Sequence, residues 1–258
     1  MRKVTIMAII SLILLLSTSL MGTTLLNSVV EDTDVEVPED VLGDSVDEYT
    51  IELANGRYKA SWFEADPTTL SLIANFSQKD QAGKIFSKYE CSNAINAGFY
   101  DTDDTPLGLF ISDGTTLEGF RENKIMNGIL SINSVDIPRI SPDVPRDPLK
   151  IAVQTGPLLI HNASFITLNT STDKHSRRMI AFTTGENRLY FVALYSPTST
   201  FRGPLMVELH DLLVEFEDVS GIAIADAVNL DGGSASYFNS NGFALSEISP
   251  IGALFCNK

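Results

Sequence analysis

"AVNLDGGSASYF" (residues 227–238) joins an apolar run to an aspartate, two glycines and two serines. From Ile222 onward the residues before it are mostly aliphatic or alanine, as in a buried strand. A strand that stops on Asp231, with Gly232 and Gly233 next, puts a carboxylate at a sheet edge, where side-chain-free backbone can approach another group closely. The stretch is therefore either a capped tight turn or the floor of a site.

The neighbouring segments set the fold class. Upstream, "PLMVELHDLLVEFEDVSG" (residues 204–221) reads as a helix. Pro204 suits its first turn, Leu205, Leu209, Leu212, Leu213 and Phe216 form its apolar stripe, and Gly221 stops it. Downstream, "YFNSNGFAL" predicts a hairpin turning on Asn241 and Gly242. "DQAGKIFSKYE" predicts a second, short amphipathic helix with Ala82, Ile85, Phe86 and Tyr89 on one face. "RYKASWFEA" alternates as a strand with one wet face, and "NAINAGFY", "LGLFISDG", "GILSINS", "KIAVQTGPLLIHN", "RMIAFTT" and "RLYFVALY" read as further strands. Many strands with two helices, neither strictly alternating nor segregated, predict an α+β single domain over residues 49–258: a mixed, largely antiparallel sheet packed by two main helices.

The termini and the charge bound the setting. Arg2 and Lys3 precede uncharged residues from position 4 to 30, the pattern of a cleaved export signal or of a retained membrane anchor. Residues 31–48 carry nine acidic groups and no base, and read as a solvated, disordered tether. Beyond them 24 acidic residues face 16 Lys and Arg, a net charge of −8 that excludes nucleic acid as a partner class. Cys91 and Cys256 are the two cysteines, either bridged or two buried thiols. Three scattered histidines, without C-x-x-C or H-x-x-H, predict no metal site and no cofactor. "DTDDT" (residues 101–105) lacks the glycine and distal glutamate of a calcium loop. "GGSAS" around Ser234 lacks the last glycine of a hydrolase elbow.

Three glycine-flanked polar strand ends remain. Asn96 and Gly98 lie in "NAINAGFY", Gln154 and Gly156 in "AVQTGPLLI", and Asp231 in "NLDGGSAS". Buried amides at such places need partners, from backbone or from a bound molecule. Taken together, in this order and with "PLGLFISDG", the Arg-Arg of "HSRRMIAF" and the helix "VELHDLL", these segments resemble the phosphodiester glycosidase family over about residues 95–238. By this resemblance Asn96, Gly98, Gly108, Asp113, Gln154, Gly156, Arg177 (or its neighbour Arg178), Glu208, Asp231, Gly232 and Gly233 fall on the family's motifs. Ser234, Ala181, Phe182 and His210 depart from them.

The resemblance implies an exported or membrane-anchored hydrolase that cleaves a sugar from a glycosyl phosphodiester of a glycan or cell-envelope polymer. Such a reaction needs a carboxylate to activate water or stabilise an oxocarbenium-like state. Asp231 is expected in that role, with Glu208 as second carboxylate and Arg177 holding the phosphate. Asn96, Gly98, Asp113, Gln154, Gly156, Arg178, Gly232 and Gly233 are expected to contact substrate. The alternative is a non-catalytic surface module that binds phosphorylated glycans through the same pocket.

Overall fold

In the computed structural model, residues 49–168, 173–199 and 201–258 are described and fall in one compact unit. The expected signal or anchor (1–30) and tether (31–48) lie outside them. Strands dominate. A seven-stranded sheet runs, in order, β1 (Thr50–Leu53), β2 (Tyr58–Ala65), β13 (Leu189–Tyr195), β12 (Arg178–Thr183), β14 (Asp226–Asn229), β10 (Leu158–His161) and β11 (Ser164–Phe165). One five-stranded sheet runs β16 (Phe243–Leu245), β15 (Phe238–Ser240), β4 (Asn93–Asn96), β17 (Ala253–Asn257) and β3 (Ser71–Ala74). The other runs β6 (Thr115–Glu118), β5 (Phe110–Ser112), β9 (Leu149–Thr155), β7 (Gly128–Asn133) and β8 (Pro138–Ser141).

The fold is sheet-rich α+β, with helices α1 (Ala82–Lys88) and α2 (Leu209–Ser220). The expected single mixed sheet is replaced by three, and every strand pairing among the described residues is antiparallel. Short hairpin turns make this possible: Asn241 (φ 51°) and Gly242 (φ 85°) adopt the left-handed conformations that join β15 to β16.

The seven-stranded sheet is buried on both faces. Tyr58, Ala60 and Trp62 of β2 pack with Leu209, Leu212, Leu213 and Phe216 of α2. Phe63 and Ala65 of the same strand join a second core with Ile95, Val153 and Phe255 of the five-stranded sheets. The wet face expected for β2 is absent for that reason, and only Glu64 is exposed along it. Helix α2 begins after a 3-10 turn (Met206–Glu208) and ends at Gly221, whose φ of 71° few other residues adopt. Cys91 and Cys256 form a disulfide with their Cα atoms 5.3 Å apart.

Candidate active site around Asp231

Asp231 leaves the end of β14 and is caught at once by the end of β4. Its N–H donates to Ala97 O (3.1 Å), and its carbonyl accepts from Asn96 Nδ2 (2.7 Å). Asn96 also donates to Ala97 O (3.2 Å) and accepts Tyr237 N–H at Oδ1 (2.9 Å). The buried amide thus welds the strand before the aspartate to the strand after it, and each of its three bonds goes to backbone.

The Asp231 carboxyl receives one bond, from Gly232 N–H at 2.9 Å. Burial of the carboxyl pushes its pKa up to about 7, only partly countered by that bond. Tyr100 shares the spot: its hydroxyl donates to Pro250 O (2.5 Å), and burial first, then the charge of Asp231, raises its pKa.

Gly232 is required by contact with Arg177, and Gly233 is favoured by its left-handed backbone. A Cβ on Gly232 would lie 2.6 Å from Arg177 O, and Gly233, at φ 65°, donates its N–H to that same oxygen (3.1 Å). The Arg177 side chain is 0% exposed. Nε donates to Ser236 Oγ (2.9 Å), Nη2 to Ser236 O (2.7 Å) and Ser246 O (2.8 Å), and the guanidinium lies 4.8 Å from the centroid of Phe201. Nη1 is buried without a partner, and among the described residues no carboxylate is within ion-pair distance. Burial lowers its pKa to about 10, so it stays charged at neutral pH.

Gln154 and its glycines form the adjoining layer. Oε1 accepts Leu109 N–H and Arg121 N–H (both 3.1 Å), while Nε2 donates to Arg121 O (2.5 Å) and Met126 O (2.9 Å). Gly108, at φ 114°, leaves room for this amide: a Cβ there would meet Oε1 at 2.3 Å. Gly98 packs on Val153, and a Cβ on Gly156 would meet Ile125 O at 2.2 Å. The Gly156 carbonyl accepts Asn229 Nδ2 (3.0 Å), and Thr155 Oγ1 donates to Asn229 O (2.8 Å), which joins this layer to the Asp231 segment.

Asn96, Gly98, Gln154, Gly156, Arg177, Asp231, Gly232 and Gly233 therefore belong to one connected cluster. Three expected residues do not join it through any described contact. Glu208 accepts from Arg57 (2.7 Å), Tyr58 OH (3.0 Å) and Leu205 N–H (2.7 Å), capping the helix entry against β2. Arg178, the alternate to Arg177, faces the α2 side and pairs with Asp173 (2.8 Å). Asp113 (φ 47°) and Gly114 (φ 70°) make the turn between β5 and β6, a turn-forming pair by conformation.

Three residues enter the cluster that the sequence does not single out: Tyr100, Asn229 and Ser236. Asn229 is 3% exposed and its Oδ1 has no partner. An amide in an apolar strand was the available signal, the same one that marks Asn96. Among the described residues no group of three His, Cys, Asp or Glu side chains is placed to hold a metal ion.

The cluster places a buried strand-end carboxyl, its pKa raised to about 7, beside paired glycines on an antiparallel, three-sheet scaffold. The chain belongs to the phosphodiester glycosidase family, whose model matches residues 89–248. Its fold is similar to the catalytic domain of zebrafish N-acetylglucosamine-1-phosphodiester alpha-N-acetylglucosaminidase, described as auto-inhibited by its pro-peptide. That likeness has a TM-score of 0.60 at 18% identity, over 81% of this chain and 80% of that one. A hypothetical protein from Synechocystis gives 0.56 at 14% identity, over 81% and 61%. A protein from Burkholderia pseudomallei, described as a candidate exported protein, gives 0.52 at 9%, over 78% and 74%. No curated protein matches.

Proposed function

We propose that the protein is an exported hydrolase that cleaves a sugar from a glycosyl phosphodiester, with Asp231 as its catalytic carboxylate. The observation that carries this reading is Asp231 itself: in a phosphodiester glycosidase chain, the one cluster built from the motif residues surrounds a carboxyl whose pKa is raised to about 7. The phosphate monoester that departs is already a competent leaving group, so protonating it contributes little. The ionised carboxylate is then the useful form, either activating water or stabilising positive charge at the anomeric carbon.

Gly232 gives its N–H to the Asp231 carboxyl, Gly233 gives its own to Arg177 O, and Tyr100 borders the carboxyl. Arg177 acts through the loop: Nε and Nη2 bond Ser236 and Ser246 and so position residues 232–236, while Nη1 has no partner. Export is supported by the apolar segment after Arg2 and Lys3 and by the disulfide, which belongs to oxidising compartments. Among the described residues no helix is long and apolar enough to cross a membrane.

The test is release of sugar from a chromogenic sugar phosphodiester. Asp231→Asn is expected to lower kcat by at least ~100-fold with the fold intact. Full turnover by that variant removes Asp231 from the chemistry. A second reading, a module that binds phosphorylated glycans without cleaving them, is favoured by one observation: Glu208 is engaged with Arg57 and Tyr58, leaving a single carboxylate in the cluster. Saturable binding of the phosphodiester without product selects the module.

A further inference from the structure

A cleft lies away from Asp231, where the two five-stranded sheets part. Its volume is about 420 Å³, within the usual range for small-molecule sites. Buried Leu72, Ile151 and Cys256 of the disulfide form an apolar floor. Polar groups stand on opposite walls. Ser71 comes from β3, Ser112 and Asp113 from the β5–β6 hairpin, and the Tyr89 ring, 38% exposed, follows α1. Lys258 lines it as well.

The charges are informative. Lys150 is already taken, by Pro67 O and Thr68 O (3.2 Å each) and by Asp136 (2.8 Å). Neither Asp113 nor the Lys258 side chain has a partner among the described residues. The free carboxylate of Asp113 stands against the ammonium groups of Lys258 and of Lys88, the latter 5.1 Å from the centroid of the Tyr89 ring, and repels a phosphate. What it offers is a strong acceptor, a strong donor, hydroxyls of both kinds and an aromatic face above an apolar floor.

An extended peptide is the other occupant to weigh, because β3 is the edge of its sheet. That edge is four residues long, and its Leu72 carbonyl already accepts Ser112 Oγ at 2.6 Å. Too little free ladder is left for strand addition to hold a peptide.

We infer that this cleft is a second, non-catalytic binding site for a neutral pyranose, held by stacking on Tyr89 and by hydroxyl bonds to Asp113 and Ser71. The β3 wall and Lys258 lie outside residues 89–248, so half of the site is built from chain beyond the family match. The inference does not depend on turnover at Asp231. A hydrolase of glycan polymers would gain residence on its substrate from such a cleft.

The experiment is NMR titration of the full chain with glucose, galactose, mannose, N-acetylglucosamine and their disaccharides. At least one is expected to shift the backbone resonances of Ser71, Leu72, Tyr89 and Asp113 saturably at millimolar concentration, leaving those of residues 229–236 in place. Tyr89→Ala and Asp113→Asn, both at exposed positions, are expected to weaken that binding about tenfold each without moving the thermal midpoint appreciably. The inference is overturned if no sugar of the panel shifts these resonances in the unmodified protein. It is equally overturned if Tyr89→Ala binds as before, or if inorganic phosphate or an extended peptide occupies the cleft in preference to every sugar.

Discussion

At Asp231 the same burial that serves chemistry works against stability. Its carboxyl is raised from an ordinary 3.8 to about 7, so between those values the folded protein holds a proton that the unfolded chain releases. The contribution to stability is therefore full below about pH 4 and is lost as pH rises through 7, an effect on the order of a few kcal/mol. Asp231→Asn removes the titration. Urea unfolding should find the variant level with the parent at pH 4 and more stable at pH 8. Activity should move the opposite way with pH. If the ionised form works, kcat/KM of the parent rises about tenfold per pH unit and levels off near pH 7; a profile that falls through this range assigns Asp231 as proton donor instead. Arg177 separates on a different measurement. Removing it strands the Ser236 and Ser246 carbonyls, so Arg177→Met is expected to cost about 2–3 kcal/mol in urea unfolding. As a positioning residue it should lower kcat more than it raises KM. A raised KM at unchanged kcat is the mark of a direct phosphate clamp.

Between elements, the decisive bonds come from far along the chain, and this set what the sequence could reveal. Gln154 is legible as a buried polar residue at a strand end, but the groups it serves lie 28–45 positions away, in loops whose course depends on the register of β5 and β7 against β9. All four bonds of its amide go to backbone. Gln154→Ala leaves four polar backbone groups without their partner and is expected to destabilise by about 3 kcal/mol or more. Hydrogen exchange should speed up first at Leu109 and Arg121, whose N–H groups it receives. Helix α2 shows the converse. Its apolar stripe and its stop at Gly221 are local properties and follow from spacing alone, as does the Asn241–Gly242 hairpin. Glu208 illustrates the limit: its place near the helix start is legible, whereas Arg57 and Tyr58 are brought to it by β2, some 150 residues earlier. Likewise the wet face of β2 disappears because separate sheets and α2 cover it, which no pattern inside nine residues encodes.

On the scale of the molecule, the three strand ends meet because β4 and β14, from different sheets, both terminate at Asp231. The bond from Asn96 Nδ2 to Asp231 O spans 135 positions in sequence. What keeps β4 in place is its ladder with β17, where Ala94 pairs with Cys256; the disulfide joins Cys256 to Cys91 just before β4. The bridge closes a loop of 165 residues, for which chain-entropy reasoning gives about 5 kcal/mol of restraint on the unfolded chain. It acts chiefly on that unfolded chain, while the ladder and the buried Asn96 hold the native strand end. Cys91→Ser/Cys256→Ser is therefore expected to lower the urea midpoint strongly yet to leave kcat within about twofold at temperatures where the variant stays folded. Asn96→Ala should do the reverse in proportion. It leaves the bridge intact but frees Asp231 O and Tyr237 N–H, so kcat falls further than the stability loss of about 2 kcal/mol would suggest. If instead the serine variant loses activity while still folded, the bridge is shaping the native site itself, and β4 is held less by its ladder than the packing around it implies.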